Sequence, residues 1–466
     1  MQVRKKIINI ITMLFPLLLV ACGQQEISWL KEKPVAFFTK TSTLPEKILS
    51  KNSVEKEAAE TLENLLKKSE AGKNSGTDFL SIFKHALKND PVIQSKREDV
   101  DARLAGIETD EAQKDFQVDT ILYGGIEDVT DNTKGLAISL NASRLVFDGG
   151  MLDSKIASKR FDAKKAQLDL VATINNRAQR LCKIWLELEK YQTLRQQIDS
   201  RLAVLDPLIV QLEQVANAGI GDVSKVTAAQ RTVSAIRVKQ STVIEGLAQA
   251  QLEFENAFGS LSQKTSYEST FVSNLVPANI TNNDLQNAPM VLAQYAGYQS
   301  NLHKLSVVMA EDEFNISIQA SAMVPFAGSE YGSDESIGLV GRKTLYNGGM
   351  LGSQIEEARA VVAASAAQIT SSYREGVRSV ETAKQRVTSL NEAILLARKN
   401  AKLTADEILY LRQQLVIGGS TLDSVLSAEA RLYEAESQEI TLTTEKRQSE
   451  LVIVATLGLL SGALDI

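Results

Sequence analysis

The chain has 466 residues and a formal net charge of −6, from 51 basic and 57 acidic residues. A net acidic chain without a basic patch argues against nucleic acid as a partner. Aromatic residues make up 5% of the chain and there are eight prolines, which is poor for a compact β domain and favours long helices.

Residues 1–21 are predicted to be a signal peptide. A basic start ending at Lys6 precedes an apolar run from Ile7 to Val20 that is too short to span a bilayer. The tetrapeptide Leu-Val-Ala-Cys22 resembles the bacterial lipobox, which implies cleavage before Cys22 and its acylation; an ordinary signal peptide with an incidental cysteine is the alternative. Gly23, where an inner-membrane lipoprotein would carry Asp, implies outer-membrane sorting by the same resemblance. Cleavage leaves 48 basic and 57 acidic residues, a net charge of −9.

An internal duplication organises the rest of the chain. The segment Phe147 to Leu152 recurs as Tyr346 to Leu351, a shift of 199. The same shift pairs Ser154 with Ser353, Gly219 with Gly418, Val226 with Val425 and Gly259 with Gly458. Upstream, Phe116 pairs with Phe314 at a shift of 198. One residue was therefore gained or lost between Phe116 and Phe147 or between their repeat equivalents. We expect the change in a hairpin, because loops absorb insertions better than helices do.

Each repeat is predicted to contain a strand hairpin, at about 117–147 and 315–346. Apolar residues alternate with polar or small ones in both segments: Leu136, Ile138 and Leu140, then Ile316, Ile318, Ala320 and Ala322. One apolar and one polar face is what a barrel wall between lipid and water requires. An antiparallel sheet on a soluble core would show the same period, so the pattern alone leaves both open.

Long helices are predicted after each hairpin. Residues 151–218 and 350–417 have a helical composition, and the two segments together contain a single proline. Each would be ~100 Å long if it were one continuous helix. Shorter helices, about Asp222 to Phe258 and Thr421 to Leu457, carry a narrow apolar stripe typical of a coiled-coil seam. The boundaries are then 78–259 for repeat 1, 260–280 for a linker and 281–466 for repeat 2.

Together these features resemble the TolC-like outer-membrane factor family from about Asp78 onwards. The resemblance rests on a first helix that ends toward Pro91, the corners Gly149-Gly150 and Gly348-Gly349, and the segment Gly418 to Glu429. It implies a mainly α fold with a β-barrel part: a homotrimer whose shared 12-stranded barrel continues into a periplasmic tunnel of helices. Four strands per chain are too few to close a barrel alone.

The same resemblance implies a passive export conduit rather than an enzyme. Its partners would be a periplasmic adaptor and an inner-membrane transporter, either an ABC protein or a proton-driven pump, in type I protein secretion or small-molecule efflux. Residues 22–77 would be a lipidated spacer. A periplasmic adaptor and a non-conducting coiled-coil lipoprotein are the alternatives.

The helix turns would form the periplasmic tip, where the adaptor docks. The residues expected there are Gly219, Asp222, Gly418, Ser420 and Asp423. The Tyr, Arg and Asp with which many family members close the tip are replaced by Leu415, Ser420 and Ser424. Asp222 and Asp423 are expected to act as helix caps or first-turn charges, with a cation-attracting ring in the lumen as the alternative.

No catalytic, cofactor or metal site is predicted. His85 and His303 are expected in corresponding helical regions of the two repeats and offer no ligand spacing. Phosphate-binding Gly-x-x-x-x-Gly-Lys-Ser/Thr and hydrolase Gly-x-Ser-x-Gly tracts do not occur. Once Cys22 is acylated, Cys182 has no disulfide partner, so stability must come from packing.

Overall fold

The computed structural model describes residues 79–128, 133–218, 223–258, 271–326, 329, 332–417 and 419–464. All of these fall in the second of the two units into which the chain divides, Asn52–Ile466. The predicted signal peptide, the spacer and Cys22 lie outside the described residues.

The described elements follow one another in a repeated order. They are α1 Phe79–Lys88, α2 Pro91–Glu111, β1 Gln117–Asp128, β2 Thr133–Phe147, α3 Met151–Asn217, α4 Val223–Phe258, α5 Phe271–Leu275, α6 Asn282–Gln286, α7 Pro289–Ala310, β3 Asn315–Pro325, β4 Asp334–Arg342, α8 Met350–Val416, α9 Leu422–Thr456 and α10 Leu459–Leu464. The series α2-β1-β2-α3-α4 thus recurs as α7-β3-β4-α8-α9. The predicted mainly α fold is confirmed, and the described strands form a small antiparallel sheet.

The helices that flank the sheet begin and run alike in both repeats. α2 and α7 start at Pro91 and Pro289, and proline suits the first turn because its missing N–H would have no helical partner there. α3 and α8 have 67 residues each, which corresponds to ~100 Å. None of the described helices combines the length and the hydropathy needed to cross a membrane.

The sheet is antiparallel, in the order β1-β2-β3-β4. Gln117 lies opposite Ser143 in the first hairpin, and Asn315 lies opposite Arg342 in the second. The first strands are therefore related by a shift of 198 and the second strands by 199. Since the paired arms keep their register, the one-residue difference lies in the turn that joins them.

Two predicted boundaries differ from the structure, and one helix was not predicted. α1 ends at Lys88, and the Asp90 carboxylate caps the next helix by accepting from the amides of Val92 and Ile93 at 2.8 and 3.2 Å. Pro91 therefore starts α2, a helix that the sequence did not reveal because few of its residues are buried. The second hairpin ends at Arg342 rather than near 346.

The predicted linker 260–280 contains a packed helix. Phe271 and Val272 of α5 are buried, because they insert into a core of aromatic side chains. In that core the ring of Phe83 lies 5.0 Å from that of Phe258, and Trp185 meets Phe258 edge-on at 5.5 Å. The segment is thus part of the folded unit and not only a spacer between repeats.

Nearer the helix turns, apolar side chains of three helices pack together. Leu426 and Tyr433 of α9 are buried against Ile198 of α3 and Val233 of α4. The buried set includes most of the apolar stripe predicted for α9: Val425, Leu426, Leu432 and Tyr433. α9 therefore lies against helices of repeat 1 as well as against α8 of its own repeat.

Candidate functional site

The sheet has one apolar face that is exposed across all four strands. Leu122, Ile138 and Val324 lie in one row, because Leu122 pairs with Ile138 and Ile138 with Val324. They are 65%, 40% and 51% exposed. On β4, Ile337 and Leu339 continue the same face and are 71% and 69% exposed. Exposed apolar surface of this extent marks a contact with lipid or protein.

The opposite face of the sheet is mostly polar, with Ile121 and Tyr123 as exposed exceptions. Asn141 donates from Nδ2 to the carboxylate of Asp119 at 3.1 Å, and the hydroxyls of Ser321 and Ser336 lie 2.8 Å apart. β1 and β4 are the edge strands, so one side of each carries no ladder partner within the chain. Unpaired edges of long strands are templates for pairing with another chain.

The first strand-to-helix corner is built on two glycines with positive φ. Gly149 and Gly150 have φ of 66° and 82°, in the left-handed region that residues with a Cβ rarely adopt. The Asp148 carboxylate accepts from the amides of Gly150 and Leu152 at 2.9 and 2.6 Å. This cap holds the start of α3 directly behind β2.

The second corner repeats this backbone with fewer contacts. Gly348 and Gly349 have φ of 69° and 84°, and the Asn347 side chain accepts from the amide of Leu351 at 3.5 Å. A Cβ on Gly149 would lie 2.6 Å from the side chain of Glu313, whereas one on Gly348 or Gly349 would meet nothing within 4 Å. The backbone path is shared, but the first corner is packed and the second is open.

The helix turn between α8 and α9 is defined on both sides of Gly418. The amide of Gly419 donates to the carbonyl of Gln414 at 2.8 Å, which is the long bond of a Schellman helix end. Such ends usually place Gly at the position of Gly418, whose own conformation lies outside the described residues. Thr421 is the N-cap of α9, and its side chain accepts from the amide of Ser424 at 3.3 Å.

The predicted acids occupy different positions at these turns. Asp423 is in the first turn of α9 and is half-buried, so it faces the positive end of the helix dipole and does not act as the cap. Gly219 and Asp222 of the equivalent turn lie outside the described residues. Ser420 is partly buried, and its Oγ has no hydrogen-bond partner among the described residues.

A buried ionic cluster lies a few turns along the helices from this end. The side chain of Glu429 is 3% exposed; its Oε2 lies 3.2 Å from Nη1 of Arg201, and its Oε1 lies 2.7 Å from Nη2 of Arg412. Arg201 also reaches Glu436, with Nη2 2.5 Å from Oε1. The cluster joins α3 of repeat 1 to α8 and α9 of repeat 2.

Reasoning from the sequence missed this cluster. Glu429 belongs to a segment noted for its resemblance, but Arg201 is 228 residues away in the chain. A charged residue on a long helix usually lies on a solvated face. The available signal was the position of Glu429 beside the apolar stripe residues Val425, Leu426 and Leu432.

Comparisons with known proteins agree on this architecture. Residues 311–459 match the sequence profile of the family described as outer membrane efflux protein, while no curated protein sequence matches the chain. The structure of CusC superposes with a TM-score of 0.70 at 15% identity, covering 84% of this chain and 95% of that one. The outer membrane protein VceC of Vibrio cholerae gives 0.68 at 13% identity, covering 81% and 95%. The MtrE outer membrane channel of Neisseria gonorrhoeae gives 0.66 at 10%, covering 81% and 88%.

The chain has the fold of the outer membrane efflux proteins. The resemblance predicted from the sequence is therefore confirmed. In this outer-membrane-factor fold, two of the residues that replace the family's tip-closing side chains have other contacts. The Oγ atoms of Ser424 and Thr421 lie 2.8 Å apart in the helix cap. Leu415 is partly buried. The Glu429 cluster is a buried ionic link near this end, whereas the pair of Arg431 and Glu407 is exposed.

The two histidines, the candidate metal ligands, are not brought together in the described part of this efflux-channel fold. No cluster of His, Cys, Asp and Glu there could hold a metal ion. His85 lies on α1 and its Nε2 is 3.0 Å from Nδ2 of Asn89, whereas His303 lies on α7 and stacks on Phe161. The prediction that the two histidines occupy corresponding helices is thus wrong, because α1 and α7 are not repeat equivalents. Burial raises the pKa of the Cys182 thiol to about 12.

Proposed function

We propose that this chain is the outer-membrane channel subunit of a tripartite export system. Three copies would share a 12-stranded barrel that continues into a periplasmic tunnel of helices. The observation that carries the proposal is the sheet: one exposed apolar face for lipid, one polar face for a water-filled lumen, and two edges without partners. Four strands cannot close a barrel, so the edges call for further copies.

The duplication specifies how the copies would join. Within the chain, the last strand of repeat 1 pairs with the first strand of repeat 2, and Asn141 lies opposite Ser321. If the subunit boundary repeats this contact, β4 pairs with β1 of the next copy. The shifts of 199 and 198 then place Val340 opposite the partner's Tyr123.

The conduit would be passive, and its energy would come from partners. A periplasmic adaptor would dock at the helix turns, with Gly219, Asp222, Gly418, Ser420 and Asp423 at or beside the contact. An inner-membrane transporter, of ABC or proton-driven type, would load the substrate. The family description names efflux, so small-molecule efflux is the first activity to test, with type I secretion as the second.

We further propose that the mature chain starts at acylated Cys22, with residues 22–77 as the spacer between the lipid and the channel. This rests on the lipobox resemblance. Mass spectrometry of the mature N-terminus decides it: a diacylglyceryl mass on Cys22 is expected, and an unmodified residue would contradict it. The Cys22→Ser variant should accumulate as precursor.

Cross-linking tests the channel assembly directly. Val340→Cys with Tyr123→Cys should give covalent dimers and trimers on mild oxidation. Val340→Cys with Asp119→Cys is the matched control, because residue 119 lies on the same face about 14 Å further along the strand. A wild-type protein that is monomeric and does not conduct in planar bilayers would sink the proposal and favour an adaptor or a structural lipoprotein. A conducting trimer that cross-links through residue 119 would overturn only the register.

A further inference from the structure

A cation lies over a phenylalanine ring at the same place in both repeats. The guanidinium carbon of Arg144 is 5.3 Å from the centre of the Phe116 ring, and Nζ of Lys343 is 5.7 Å from the centre of the Phe314 ring. The duplication relates the two phenylalanines by 198 residues and the two cations by 199. The type of contact thus recurs although Arg is replaced by Lys.

The strand register places both pairs at one end of the apolar face. Arg144 lies opposite Ile318, and Ile318 lies opposite Leu339 on that face. The alternation of side chains puts Phe116, Phe314 and Lys343 on the same side, just beyond the strand ends that lead into the helices. Phe116 and Phe314 are 41% and 50% exposed. The apolar face therefore ends in two aromatic rings, each with a cation above it.

The height of the face fits a membrane. From residue 116 to residue 124 the strand rises about 27 Å, close to the roughly 25 Å of an outer-membrane barrel's apolar band. Phenylalanine at the end of such a band can stay in hydrocarbon, while a long basic side chain extends its charge to the head groups. The cation–π contact fixes that charge above the ring.

These two cations also lack a carboxylate partner. Among the described residues neither Arg144 nor Lys343 forms a salt bridge; the Nε of Arg144 donates to the carbonyl of Lys114 at 3.3 Å. Lys114 itself is 2.5 Å from the carboxylate of Asp153, and Asp148 is occupied as the cap of α3. On the apolar face at this level, the positive charge available is therefore that of the two ring-bound cations, because Arg342 points to the polar face.

We propose that each phenylalanine–cation pair binds the phosphate of an anionic phospholipid in the membrane leaflet on the helix side of the sheet. The inference rests on the proposed function, because the apolar face must contact lipid. The planar guanidinium of Arg144 suits two parallel hydrogen bonds to phosphate oxygens, whereas Lys343 offers a point charge. A trimer would carry a belt of such pairs.

The test uses the purified full-length protein in nanodiscs of phosphatidylcholine, titrated with phosphatidylglycerol. Each cation should contribute about fivefold to the affinity near an anionic surface, so Arg144→Gln with Lys343→Gln should weaken phosphatidylglycerol binding by about 25-fold. Lys114→Gln is the matched control, since Lys114 is already paired, and should leave the affinity unchanged. Inorganic phosphate at equal concentration should not compete.

Each outcome separates the lipid site from the channel. Two results from a conducting trimer would overturn the lipid site alone. One is a phosphatidylglycerol affinity that is unchanged in the double variant, and the other is an affinity for phosphatidylglycerol no higher than that for added phosphatidylcholine. A wild-type protein that neither trimerises nor conducts overturns the proposed function. The charge-preserving pair Arg144→Lys with Lys343→Arg guards against misfolding: it should keep most of the affinity, and a loss as large as that of the neutral pair would contradict a charge-based site.

Discussion

Equivalent positions near the helix-turn ends of the two repeats hold opposite kinds of contact. In repeat 2, Glu429 is buried between Arg412 and Arg201. The shift of 199 places Glu213 and Gln230 at the positions of Arg412 and Glu429, and there Nε2 of Gln230 donates to Glu213 at 2.9 Å on an exposed surface. The same scaffold therefore carries a buried ion-pair cluster in one repeat and an exposed amide–carboxylate hydrogen bond in the other.

This difference follows from which neighbour is present. α9 lies against α3 of the preceding repeat, which supplies Arg201. If the contact between repeats is repeated between copies of a trimer, α4 would lie against α8 of the preceding copy. The counterpart of Arg201 at that contact is the partner's Asn400. The seam within a chain thus holds ion pairs, while the equivalent positions between chains would hold none. A motion that parts neighbouring subunits would therefore break the weaker contact.

The largest effect is expected at the Glu429 cluster. Glu429→Gln leaves Arg412 without a carboxylate and Arg201 with Glu436 alone, and breaking a buried pair costs about 3–5 kcal/mol. Hydrogen exchange of the amides near residues 412–430 should accelerate accordingly. Gln230→Ala at the equivalent exposed site should change stability by less than about 0.5 kcal/mol. Equal exchange in both variants would show that burial of the cluster does not matter.

The two glycine corners offer a second comparison. Gly149→Ala combines a left-handed backbone, about 1–2 kcal/mol, with a clash against Glu313 that adds about 1–3 kcal/mol. Gly348→Ala has only the backbone term in a single chain, because its surroundings are open. Thermal unfolding of the two variants, as trimer and after dissociation, measures the backbone cost and the cost of the clash.

In the trimer, the stability losses caused by Gly149→Ala and Gly348→Ala should become more similar. The repeat equivalent of Glu313 is Asp115, so the partner's Asp115 would approach Gly348 across the subunit boundary. Gly348→Ala should then lower the stability of the trimer more than that of the monomer. An identical loss in both states would mean that the second corner stays open in the assembly.

What the sequence could predict was local or repeated. The long helices follow from composition, the corners from paired glycines, and the position of the one-residue change from the duplication. The Glu429 cluster could not be predicted, because it depends on how three distant helices rotate about their axes. α2 was missed for a related reason: Ile93 and Val100 are its buried apolar residues, too few to form a visible stripe.

A smaller effect is expected from introducing the residues of the Glu429 cluster at the seam between subunits. Glu213→Arg, Gln230→Glu and Asn400→Arg would place the residues of the ionic cluster at the subunit boundary. These positions are more exposed, so each new pair should add only about 0.2–1 kcal/mol. Conductance in planar bilayers should fall and recover at high salt as the charges are screened. Unchanged conductance at low salt would argue that α4 does not face the partner's α8.

The smallest effect concerns Cys182 and its repeat equivalent, Glu381. Cys182 is buried in the aromatic core, and burial raises its thiol pKa to about 12, whereas Glu381 is exposed and pairs with Lys384 at 3.2 Å. The thiolate is the reactive form; because the folded pKa is raised, the thiol stays protonated well above pH 8. Maleimide should therefore label Glu381→Cys rapidly in the background of Cys182→Ala. In the otherwise unmodified chain Cys182 should stay unlabelled at pH 7 and pH 9 alike until the protein is unfolded. Rapid labelling of native Cys182 would show that the core opens on the time scale of the reaction, and that packing in this region is looser than the contacts of Trp185 indicate.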